Sequence, residues 1–136
     1  MASTVIDEKL ESLRRCLGRI REKCPDNAEA LKDDIDLQDI ISVNLTRAVQ
    51  LSVDIAAHLL TATDQPPPDS MGESFDRLVS AGLISRPLAD HIKSAVGFRN
   101  IAVHSYRQID WGIVFAIATE HLDDFEEFAR QVLKVA

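Results

Sequence analysis

Asp33-Asp34-Ile35-Asp36-Leu37-Gln38-Asp39-Ile40-Ile41-Ser42-Val43-Asn44-Leu45-Thr46-Arg47-Ala48-Val49-Gln50-Leu51-Ser52-Val53-Asp54-Ile55-Ala56-Ala57-His58-Leu59-Leu60-Thr61-Ala62 is the stretch that decides the fold. Its apolar positions Leu37, Ile40/Ile41, Leu45, Ala48, Leu51/Ser52, Ile55 and Leu59 recur at steps of three and four residues. That is the period of an amphipathic helix, so one long helix, the spine of the fold, is expected here. Upstream, Val5/Ile6, Leu10, Leu13, Leu17 and Ile20 repeat the pattern from Ser3 to Cys24, and Pro25 ends that helix. Downstream, Gln65-Pro66-Pro67-Pro68-Asp69 is an extended connector, short enough to lie within one domain. Ser70-Met71-Gly72-Glu73 fits a capping box, and a short helix follows with Phe75, Leu78 and Val79 on one side and Gly82 at its end. Ser85 caps the next helix, with Pro87 in the first turn. Asp110 caps the last, whose stripe is Val114, Ile117/Ala118, His121/Leu122, Phe125, Phe128/Ala129 and Val132. With no strand pattern and no repeat, the expected architecture is all-α. It is a four-to-five-helix up-and-down bundle, one domain over residues 1–136.

Composition bounds the function. The chain is 46% hydrophobic and 27% charged, enough for a real core under an ordinary polar surface. Its 15 Lys and Arg against 22 Asp and Glu give a net charge of −7, which disfavours a protein coated for nucleic-acid binding. The longest purely apolar run, Ile113 to Ala118, is far short of the ~20 residues of a membrane span. Met1 to Glu8 has neither the basic start nor the apolar stretch of a secretory signal, so a cytoplasmic protein is expected. Cys16 and Cys24 have no further cysteines to complete a zinc site and are expected to be reduced helix residues. HxH and HExxH are absent, and Gly18 and Gly97 are isolated, so neither a metal nor a nucleotide cofactor is expected.

The segment Leu88 to Tyr106 contains a conflict. On an ideal helix, Leu88, Ile92, Ala95, Val96, Ala102 and Val103 share one arc, expected to be buried, with Arg99 in its middle and Tyr106 on the same line. A guanidinium there is costly to desolvate unless it is paired or faces a cleft or partner. Asn100 and His104 form an i, i+4 pair on the flank. An imidazole can move a proton near neutral pH, and a guanidinium can hold two phosphoryl oxygens. Together they suffice for metal-free RNA cleavage, by activating a 2′-hydroxyl or protonating the leaving 5′-oxygen while charge at phosphorus is stabilised. The alternative is a core salt bridge for Arg99 and a helix-end role for His104. On the long helix, Arg47, Asp54 and His58 share one side. They are either a solvated strip with an Asp54–His58 pair or, for Asp54 and Arg47, groups that orient the Arg99 site. Core or edge packing is expected for His91 and His121, and Asp123-Asp124 and Glu126-Glu127 are either a solvated acidic strip or a surface for a basic patch on a partner.

Gly97-Phe98-Arg99-Asn100-Ile101-Ala102-Val103-His104-Ser105-Tyr106 resembles the signature of the HEPN superfamily in its HepT-type toxin branch, R-x4-6-H extended to R-N-x3-H-x-Y. Leu13 to Ile20, Asn44 to Gln50, Asp54 to Ala56 and Ser74-Phe75 resemble segments of that branch in the same order. The resemblance implies a helical bundle that dimerises with the motif helices facing each other, possibly within a larger hetero-oligomer. It implies the toxin of a type VII HEPN/MNT toxin–antitoxin pair, a metal-independent endoribonuclease partnered by an MNT-type nucleotidyltransferase. Carried over, Arg99 and His104 are the catalytic pair acting on RNA, Asn100 supports them, and Tyr106 receives AMP from the antitoxin. From helical phase, the modified phenol is expected to bring its phosphate beside Arg99. A dimer cleft would explain a guanidinium on an apolar arc. The second functional expectation is a non-catalytic module that serves the nucleotidyltransferase as partner and AMP acceptor. Locally the charge reverses. Between Ile84 and Ile109, Arg86, Lys93, Arg99 and Arg107 face Asp90 alone, which implies a small basic cleft in an acidic body.

Overall fold

The computed structural model describes residues 4–135, and every regular element among them is helical. In chain order these are α1 (Thr4–Lys23), α2 (Ala28–Lys32), α3 (Ile35–Leu60), α4 (Met71–Ser80), α5 (Arg86–His104), α6 (Trp111–Ala116) and α7 (Leu122–Val135). A 3-10 turn, Tyr106–Gln108, follows α5, and a π-helical turn, Ile117–His121, joins α6 to α7. The expected start of the first helix at Ser3 lies outside the described residues.

The spine is where the periodicity puts it. Asp34 caps α3 by accepting from Leu37 N–H, and Ile41, Leu45, Ala48, Val49, Ile55 and Ala56 are buried along it. By length and composition α3 could cross a bilayer, and this fold uses it as the central core helix. It runs antiparallel to α1, as the Lys9–Asp54 ion pair and the shared lining of Cys16 and Arg47 record. On its other sides α3 meets α4 and α5, and α7 closes the bundle against α1 and α5. Arg21 of α1 bonds Asp123 and Glu126 of α7, so part of the acidic strip is a helix-to-helix clasp rather than solvated. Phe75 of α4 and Phe128 of α7, both fully buried, meet edge to face at 5.8 Å. One apolar cluster extends from Ile6 to Val132.

Termini follow the chemistry of their residues. Gly82, at φ +77°, ends α4 in the left-handed conformation, with Leu83 N–H bonded to Leu78 C=O at 2.9 Å. Ser85 and Asp110 cap α5 and α6 as expected. The capping box at α4 is half formed. Ser70 Oγ accepts from Glu73 N–H at 3.1 Å, but the Glu73 carboxylate turns to Arg77 instead of reaching back. Helix α2 is an addition to the expected set, capped by Asn27 and anchored by fully buried Leu31. Five residues are too few to show a period, and Gln38 of α3 holds the end of α2 by donating to the Leu31 and Lys32 carbonyls. The last helix is interrupted. The π turn adds a residue to the winding, which leaves His121 exposed while Ala118 and Leu122 stay buried.

Two corrections bear on the site. The arc of α5 is buried at Leu88, Ile92, Ala95 and Val96, with Phe98 added, but Val103 is 50% exposed and Ile101 is 44% exposed. Beyond Arg99 the helix leaves its own core. It also stops at His104, where Ser105 takes φ −148° and ψ 53°, so Tyr106 is not on the helix at all.

Candidate active site

Arg99 is half-buried and faces α3. One terminal nitrogen donates to Gln50 Oε1 at 3.4 Å and the other to Asn100 Oδ1 at 3.3 Å. Its Nε is buried without a partner, and among the described residues no carboxylate stands within ion-pair distance. The core salt bridge is therefore not what this fold builds. Two long bonds to neutral amides and an unanswered buried donor leave the positive charge available to an anion, and such an orphan costs about 1–3 kcal/mol.

Behind the guanidinium stands a polar relay across three helices. Gln50 Nε2 donates to Asp54 Oδ1 at 3.0 Å, and Lys9 Nζ of α1 lies 3.6 Å from Asp54 Oδ2. Asp54 thus orients the amide whose oxygen holds Arg99, and it makes no bond to His58. Arg47 does not touch Arg99; it lies exposed one turn before Gln50, in a groove between α1 and α3. Gln50 went unsingled in the sequence, although its i, i+4 spacing to Asp54 is a standard side-chain pairing on a helix.

Asn100 and His104 are exposed, and no hydrogen bond joins them. His104 is the last residue of α5. Five residues of an ideal helix turn by ~140° beyond a full turn, so Arg99 and His104 point away from a common face within one chain. The apolar surface around them, Ile101 and Val103, is uncovered.

Tyr106 sits in the 3-10 turn, where its hydroxyl donates to Asp39 Oδ1 at 2.8 Å and its ring meets Trp111 edge to face at 5.9 Å. Burial first, and the Asp39 carboxylate second, push the phenol above its ordinary 10.0. Asp39 precedes Gln50 by eleven residues on α3, ~16 Å along the axis, so phenol and guanidinium are bonded to different turns of that helix. The helical phase that puts Tyr106 on the Arg99 line does not apply, because α5 ends at His104, two residues before it. Asp39 and Trp111 had no signal in the sequence, since a turn of unpredicted shape brings them to Tyr106.

The sequence places His91 and His121 in core or edge packing, and the structure does not. Both are exposed, and they share Asp124, their Nδ1 atoms 3.1 and 3.4 Å from its carboxylate. Cys16 is buried and Cys24 half-buried, both free, and burial raises both thiols above their ordinary value.

The described residues thus form an all-helical bundle with a half-buried Arg99 that lacks an ion-pair partner and an exposed His104 five residues on. The chain belongs to the ribonuclease HepT-like family, whose pattern matches residues 13–132. It is 38% identical over 124 residues to the mRNA nuclease HepT of Shewanella oneidensis, covering 91% of this chain and 92% of that one. It is 25% identical over 128 residues to the tRNA nuclease HepT of Aphanizomenon flos-aquae, covering 94% and 87%. Among solved structures it resembles the tri-AMPylated Shewanella oneidensis HEPN toxin in complex with MNT antitoxin, at TM-score 0.91 and 36% identity over 99% of this chain and 100% of that one.

Proposed function

We propose that this chain, acting as one domain over residues 1–136, is the toxin of a HEPN/MNT toxin–antitoxin pair. It is a cytoplasmic endoribonuclease that cuts RNA with Arg99 and His104. The observation that carries this reading is the half-buried guanidinium with no carboxylate to neutralise it among the described residues. In the reaction, the 2′-oxygen of RNA attacks the adjacent phosphorus, the bond to the 5′-oxygen breaks, and the proton passes from the first oxygen to the second. The nucleophile is built into the substrate, so no metal is required to generate hydroxide. Arg99 holds the phosphoryl oxygens as charge grows on them, and His104 moves the proton. Asn100 and Gln50 fix the guanidinium, with Asp54 and Lys9 behind Gln50.

The site is completed by a second copy. Within one chain Arg99 and His104 diverge, and exposed Ile101 and Val103 form the apolar surface on which a second α5 would pack. Control runs through Tyr106. An MNT-type nucleotidyltransferase transfers AMP to its oxygen, forming the oxygen–phosphorus bond as pyrophosphate leaves. The added phosphodiester replaces the proton that Asp39 holds and sets two anions together, which drives the modified side chain away from Asp39. A nucleotide released there lies three residues from Val103 along the chain and obstructs the cleft between copies.

Growth arrest on expression of the chain alone tests this reading. Arrest is expected from the parent and its loss from Arg99→Ala and from His104→Ala, because removing a proton-transfer group costs about 100–10,000-fold. Arrest untouched by both substitutions would leave only the AMP-acceptor role.

A further inference from the structure

The groove between α1 and α3 has a chemistry that the reaction above leaves unused. Its volume is about 620 Å³, and it is lined by Arg15, Arg19, Arg47, Asn44 and Gln50 over the buried Cys16. No acid lines it, in a chain whose net charge is −7. The nearby carboxylates do not cancel it. Glu11 is taken by Arg14, through Nε at 3.0 Å and a second bond, which leaves Arg15 a contact of only 3.7 Å. Arg19 meets Glu22 at 3.2 Å with both side chains largely exposed, and Arg47 has no ion-pair partner among the described residues. Gln50 belongs to both places: its side chain lines this groove and its Oε1 holds Arg99.

We propose that the groove is a phosphate track in which Arg15, Arg19 and Arg47 bind the backbone of single-stranded RNA flanking the phosphate held at Arg99. Single-stranded RNA fits because a row of separated guanidiniums on two antiparallel helices neutralises successive phosphates without reading bases. The track also answers a difficulty set by the charge. An acidic body repels RNA at long range, so a substrate longer than one phosphate requires a local path of opposite sign into the site. The inference rests on the ribonuclease reading and goes beyond it, since neither catalysis nor the AMP switch requires these three arginines.

The test is the salt dependence of binding by the full-length chain to a labelled single-stranded RNA, in a His104→Ala background that prevents cutting. Each lost phosphate contact lowers the slope of log affinity against log salt by about 0.7. Replacing Arg15, Arg19 and Arg47 together by Gln is expected to lower it by about 2, and replacing all three by Lys to preserve it. A Gln variant with the starting slope overturns the track. So does a variant that keeps the slope and instead no longer captures a nucleotidyltransferase partner, which would make the groove a protein-docking face. If the unmodified chain neither cuts RNA nor binds it with a salt dependence, the ribonuclease reading fails and the track with it. If it cuts RNA and the slope is unmoved, the track alone is wrong. These side chains lie on exposed helix faces, and an unchanged thermal midpoint separates binding loss from unfolding.

Discussion

At the scale of single residues, the candidate site turns on the unpaired charge of Arg99 and the held phenol of Tyr106. Arg99 stands out in the sequence because a guanidinium on an apolar stripe violates burial, and the structure leaves it half-buried without an ion-pair partner among the described residues. Its supports were only half legible: Asp54 stood out, while Gln50, the group that bonds Arg99, did not. Tyr106 lies off the helix that its phase assumed, because helical phase carries no information past His104, where α5 ends. Asp39 makes that geometry testable. Asp39→Asn keeps an acceptor for the phenol and removes the anion that opposes its ionisation, so the phenol is expected to titrate at lower pH while burial still holds it above 10.0. This is the chain's single tyrosine, so an absorbance titration reads it alone. An unchanged midpoint would mean that Asp39 does not hold Tyr106. The raised value also sets a sign. The stability it contributes is present below the ordinary phenol range and is lost as pH climbs through the folded value.

At the scale of helices, most starts and stops were legible because each depends on a few adjacent residues. Ser85 and Asp110 cap and Gly82 terminates where the sequence places them, and Asp34 supplies a further cap. What escaped notice depends on partners distant in sequence. Five-residue α2 stands on buried Leu31 and on Gln38, and the π turn is a winding change that leaves the apolar spacing nearly intact. The orientation of the motif helix α5 depends on α4 through Asp76, which accepts from Arg86 at 2.7 Å and Lys93 at 3.0 Å. The bond from Arg86 first, and that from Lys93 second, hold the Asp76 carboxyl below its ordinary value of 3.8. Its contribution is therefore present above the ordinary carboxylate range and is lost as pH falls through the folded value. Asp76→Asn is expected to cost about 1 kcal/mol in urea unfolding near neutrality, the modest value that partial exposure allows. That cost should vanish in strong acid, where the parent carboxylate is protonated as well. An equal cost at both ends of the range would mean that charge is not what Asp76 supplies.

At the scale of the molecule, the bundle carries a positive path on an acidic body. Arg99 lies at the end of α5 that emerges from the core, and Gln50 links it to the groove of Arg15, Arg19 and Arg47. The all-α class was legible because periodicity marks the buried face of each long helix, while α2, the π turn and the uncovered end of α5 were not. The net charge was not informative about function, since −7 is a sum and an RNA site needs only local sign. The same bundle leaves Ile101 and Val103 uncovered beside His104 and points Arg99 and His104 apart, which is why a second copy is part of the account. The decisive measurement is the rate of RNA cleavage per chain, with a chelator present, across a dilution series of the parent and of Arg99→Ala. The parent is expected to cut, with the rate per chain falling as dilution separates the copies. Arg99→Ala is expected to be slower by about 100-fold or more throughout. Cleavage by Arg99→Ala at the parental rate would contradict the account.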